Sequence, residues 1–69
     1  HRRKTDPAAK ARATDVVRQL TEAIENYEKV AAKATANNDA KRAADALESA
    51  EARRSWLAEA QRSLDEFSA

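Results

Sequence analysis

The amino-acid sequence predicts an all-α protein: an antiparallel two-helix hairpin, coiled-coil-like, that completes a four-helix bundle by association. Three observations carry this expectation. The 69 residues contain no glycine, no cysteine and one proline, Pro7, while 18 alanines and 36% charged residues leave little to build except helix. Apolar residues recur at steps of three and four along two long stretches. A single short polar segment, Asn37-Asn38-Asp39, separates those stretches.

The elements follow in order. Residues 1–5 form a basic N-terminal arm and residues 6–68 the hairpin. Asp6-Pro7 is a helix start: the carboxylate can accept from an orphan amide of the first turn, and proline there forfeits no hydrogen bond. Helix 1 is expected over about 7–36, with apolar residues at 13, 16/17, 20, 23/24, 27, 30/31 and 34. The turn is expected at about 37–39, because asparagine tolerates the left-handed conformation that ends helices and Asp39 can cap the next one. Helix 2 is expected over about 40–67, with a stripe at 43, 46/47, 50, 57, 60, 64 and 67. That stripe drifts backward by ~20° per heptad, as in a left-handed supercoil. The competing arrangement is one uninterrupted helix in an extended coiled coil, since Asn-Asn-Asp is a weaker break than Gly or Pro.

Folding back at the turn pairs positions whose numbers add to about 75 or 76. Tyr27 then faces Leu47 and Ala50, Leu20 meets residues 55–57, and Val16 and Val17 approach Ala60. Arg53 and Arg54 interrupt the second stripe, and this register brings them near Glu22 and Glu25. The basic arm falls beside Asp65 and Glu66. Charge supports the topology: residues 1–36 carry eight Lys/Arg against five Asp/Glu, and residues 37–69 five against seven.

Only eleven side chains are large and apolar. A chain of this size seldom draws more than ~3–5 kcal/mol from one core, and the usual remedies are disulfides, a metal or association. Cysteine is absent and the one histidine is His1, so association is the remedy expected. Each stripe is wider than one facing helix covers. The core and interface residues expected from this pattern are Val17, Leu20, Ile24, Tyr27, Leu47, Trp56, Leu57, Leu64 and Phe67, with Trp56 on the edge, where a partner could reach it.

Catalytic chemistry finds no purchase. No catalytic residue, metal ligand set, cofactor site or small-molecule substrate is expected. A nucleophile needs a positioned base, and a di-metal bundle site needs internal histidines beside its carboxylates. Among the acids at Asp45, Glu48 and Glu51 and at Glu22, Glu25 and Glu28, most instead have basic neighbours at helical spacing, such as Glu22 with Arg18, Glu25 with Lys29, Asp45 with Arg42 and Glu51 with Arg54. No run approaches the ~18 apolar residues of a membrane span, and no secretory signal is visible. A soluble chain, cytoplasmic rather than secreted, is the expectation. The initial His1 suggests a fragment or processed product. Two functions remain. The first is a non-enzymatic assembly module, associating with itself or with another helical protein. The second is an electrostatic tether whose Arg2, Arg3 and Lys4 contact nucleic acid or an anionic membrane.

Overall fold

A computed structural model describes residues 6–67. Helix α1 (Pro7–Ala36) and helix α2 (Ala40–Asp65) pack against each other as a hairpin, with no strand among the described residues. The body is elongated, with principal extents of 53 × 17 × 12 Å. The Asp6 carboxylate accepts from the Ala8 amide at 3.0 Å, and Pro7 occupies the first turn.

Three residues reverse the chain. Asn38 takes a positive φ of 61°. Its amide donates to the Thr35 carbonyl at 3.1 Å, and the next amide, of Asp39, reaches back to Ala34 at 2.8 Å. These two bonds satisfy carbonyls that the end of α1 leaves without a helical donor. Asparagine holds the position usually given to glycine because its short polar side chain tolerates the left-handed region. Asp39 then caps α2, its carboxylate accepting from the Arg42 amide at 3.1 Å. A continuous helix is thereby replaced by a turn that leaves few backbone groups unbonded. At the far end α2 stops at Asp65, two residues short of the expected limit, and Glu66 and Phe67 tighten onto the carbonyls of Ser63 and Leu64.

Burial follows a narrower pattern than the apolar stripes. On α1 the covered or partly covered positions include 13, 17, 20, 24, 27, 31 and 34, and on α2 they include 43, 46, 50, 53, 57, 60 and 64, with 67 just past its end. Both sets alternate steps of three and four, which is the seam of a two-stranded coiled coil. The α1 positions match the first seven of α2 in reverse order, each pair adding to 77: Ala34 lies level with Ala43, Ala31 with Ala46, Tyr27 with Ala50, Leu20 with Leu57 and Val17 with Ala60. Three layers nearest the turn thus contain alanine, letting the helices approach closely. Away from the turn the layers are Ile24 with Arg53, Leu20 with Leu57, Val17 with Ala60 and Ala13 with Leu64.

This seam is narrower than the apolar stripes, which extend beyond what one facing helix covers. Among the described residues the buried ones are Ile24 and five alanines, whereas Val16, Val30, Leu47 and Trp56 are 44–55% exposed. The reason is geometric: a helix with one neighbour covers only the positions facing it, and small seam residues leave those beside the seam outside the contact. Expected core members Val17, Leu20, Tyr27, Leu57, Leu64 and Phe67 are each partly covered. Tyr27 faces Ala50 as expected, but Leu47 stands on a flank.

Candidate functional site

The residues bordering the seam divide into two flanks of different chemistry. On one flank, α1 presents Thr14, Thr21, Glu28 and Thr35, and α2 presents Leu47, Arg54 and Gln61. Its polar groups are largely paired within the chain. Thr14 and Thr21 donate to the carbonyls four residues earlier, at 2.9 and 2.8 Å. Arg54 bonds Glu28 across the hairpin and Glu51 on its own helix at 3.2 Å.

The expected partners of the arginines were Glu22 and Glu25, and the structure differs. Side chains on a helix lean toward its N-terminus. On α2 that direction points to the turn, so Arg54 reaches about a turn and a half past its level position and meets Glu28. Glu22 is instead paired with Arg18 at 3.6 Å, alongside Asp15 at 3.1 Å. The Asp15 hydrogen bond, with the charges of Asp15 and Glu22, raises the Arg18 guanidinium above its ordinary value. Arg53 bonds no glutamate. Its guanidinium lies over the rings of Tyr27 and Trp56, 4.7 and 5.4 Å from their centroids, and donates to the Ser49 carbonyl at 3.1 Å. The residue that interrupts the apolar seam therefore covers two aromatic faces with its planar cation.

The opposite flank is formed by Val16, Ala23 and Val30 on α1 and by Ser49, Trp56 and Ser63 on α2. A shallow hollow lined by Tyr27, Val30, Arg42, Asp45, Ala46 and Ser49 places its turn-proximal half on one surface. The Arg53 stack ties Trp56 into the same surface beside Tyr27. Along these two bordering rows, from Val16 to Val30 and from Ser49 to Ser63, there is no charged residue. Three of the four exposed large apolar side chains stand here; the fourth, Leu47, is on the other flank near the turn.

Sequence reasoning identified Trp56 as an edge residue but placed Val16 and Val30 with the buried stripe. The signal that separates them is strict heptad spacing: Val16, Ala23 and Val30 are seven apart, one position before the seam residues Val17, Ile24 and Ala31. Arg2, Arg3 and Lys4 lie outside the described residues. Among the described residues, no group of three or more His, Cys, Asp or Glu could hold a metal ion. No described helix is long and apolar enough to cross a membrane. The chain matches no protein-family model, no curated protein and no solved structure.

Proposed function

We propose that this protein is a non-enzymatic assembly module whose uncharged flank docks against another helical surface. The observation that carries this reading is the inversion of size between inside and outside. Among the described residues five of the six buried ones are alanine, while Val16, Val30 and Trp56 remain on one exposed flank. The total accessible surface is 5233 Å², against about 4,300 Å² for a compact monomer of this mass. The excess reflects an elongated 53 × 17 × 12 Å body whose flanks stay uncovered. A tryptophan at the centre of such a surface is the type of anchor that interfaces use. Covering the flank would add the apolar burial that the alanine seam lacks.

Solution mass across a concentration series, with helicity measured on the same samples, tests the proposal. The expected results are a folded oligomer that loses helix on dilution, or a monomer with little helix that folds only when a partner is supplied. A fully helical monomer whose melting temperature is independent of concentration would refute it, because the hairpin would then need no partner.

A further inference from the structure

We infer that the occupant of the uncharged flank is a second copy of this chain, packed face to face about a two-fold axis parallel to the hairpin, with both turns at the same end. The inference rests on the assembly reading above and specifies its partner. Two hairpins meeting on this flank have two symmetric choices. With the axis along the hairpin, α1 lies over α2 of the partner at the same level. With the axis across it, α1 lies over α1 and α2 over α2, turns at opposite ends.

Side-chain size separates the choices. The two rows of the flank pair in the first arrangement as Val16 with Ser63, Ala23 with Trp56 and Val30 with Ser49, every number pair adding to 79. A large residue meets a small one at each layer, so the surfaces interdigitate. In the second arrangement Trp56 meets its own copy at the dyad, while Ala23 meets Ala23 and leaves a gap beside it.

Charge separates them independently. Outside the flank runs a rim, and on α1 its charged members are Arg12 and Lys33. On α2 they are Asp45, paired with Lys41 at 3.3 Å, and Glu59, paired with Arg62 at 3.7 Å, with Glu66 just past the helix end. One rim is cationic and the other anionic. In the first arrangement Lys33 lies level with Asp45 of the opposite copy and Arg12 with Glu66. In the second Arg12 falls on Lys33 and Asp45 on Glu66, like on like, which disfavours that pairing. The footprint is also adequate. It is 17 Å wide and ~32 Å long between Arg12 and Lys33 at 1.5 Å per residue, or about 1,100 Å² over both partners, the lower range of specific interfaces.

The test is sedimentation equilibrium on the 69-residue chain and on Lys33→Glu and Asp45→Lys, each alone and mixed in equal amounts. Asp45 also pairs with Lys41 of its own helix at 3.3 Å, so the decisive readout is the recovery on mixing, which a contact within the chain cannot produce. Wild type is expected as a reversible dimer of twice the 7.6 kDa chain. Each variant alone sets two like-charge pairs against each other and is expected to dimerise about tenfold more weakly. The mixture restores both pairs as a heterodimer and is expected to regain near-wild-type affinity. As a second readout, Lys33→Cys mixed with Asp45→Cys should form mixed disulfides in excess over the statistical share. A mixture no stronger than its components, with no such excess, overturns the arrangement while leaving the assembly reading in place. A monomeric wild type with little helix overturns the second copy as partner and again spares that reading; a fully helical monomer overturns both.

Discussion

Asn38 offers the sharpest test of the fold, because replacing it changes stability in opposite directions for a hairpin and for a continuous helix. Its φ of 61° lies in the left-handed region, which costs a residue bearing Cβ about 1–2 kcal/mol, somewhat less for asparagine. Glycine at this position loses that penalty and gives back part of it through a more flexible unfolded chain. The net gain for Asn38→Gly is about 0.5 kcal/mol, whereas Asn38→Ala loses about 0.5–1 kcal/mol. For 69 residues the unfolding entropy near the midpoint is about 0.14 kcal/mol/K, so 1 kcal/mol moves the melting temperature by ~7 °C. Thermal melts at one fixed chain concentration, followed by circular dichroism, should therefore show Asn38→Gly ~3 °C higher and Asn38→Ala ~4–7 °C lower. In an uninterrupted helix the order reverses: alanine is better than asparagine by about 0.6 kcal/mol and glycine is the worst of the three. An alanine variant that melts above wild type would refute the turn, and with it the seam register and both flanks.

Three further substitutions probe other parts of the molecule. Leu57→Asp places a carboxylate in the seam opposite Leu20 and is expected to cost about 3 kcal/mol; an unchanged melting temperature would remove Leu57 from the core. Arg53→Glu removes the guanidinium from the faces of Tyr27 and Trp56 and is expected to cost about 1–2 kcal/mol, with a change in tryptophan emission that Arg53→Lys partly restores; identical emission in all three would contradict the stack. Arg54→Ala breaks the ion pair with Glu28, but both side chains are over 40% exposed, so the loss should be at most ~1 kcal/mol and vanish in 1 M salt. A loss that persists in high salt would indicate a packing role instead.

The topology was legible in the sequence because the signals that produce it are local. Asp6-Pro7 starts α1, the absence of glycine keeps it going, and Asn37-Asn38-Asp39 is the one place where the chain can turn. The register was legible to within one or two residues, since a three-residue turn fixes which positions lie level. That the stripes are wider than one facing helix covers was legible too, but which residues stay outside the seam was not. Periodicity reports which residues could face a neighbour, and the stripe around Val16, Val30 and Leu47 is what two neighbours would cover. How many neighbours are present is not a local property. The arginine partners were misplaced for a related reason: level positions locate Cα atoms, whereas a long side chain acts some distance toward the helix N-terminus, which displaced Arg54 from Glu22 and Glu25 to Glu28.

The same reasoning explains why the two flanks differ. A hairpin that folded alone would gain from polar residues at most positions bordering its seam, since an exposed valine there gains little from folding, whereas Trp56 gains its stack with Arg53. The Arg54 flank follows that rule, with threonines bonded to their own helix and charges paired. The Trp56 flank departs from it over the whole span from Val16 to Val30, and only there do the outer rims carry charges of opposite sign on the two helices. Local pairing of Asp45 with Lys41 and of Glu59 with Arg62 accounts for part of the rim charge, but nothing local accounts for the exposed valines. Both features follow if the sequence encodes a second interface on the heptad of the first: the seam sets the hairpin, and the row one position before it on each helix sets what the hairpin meets.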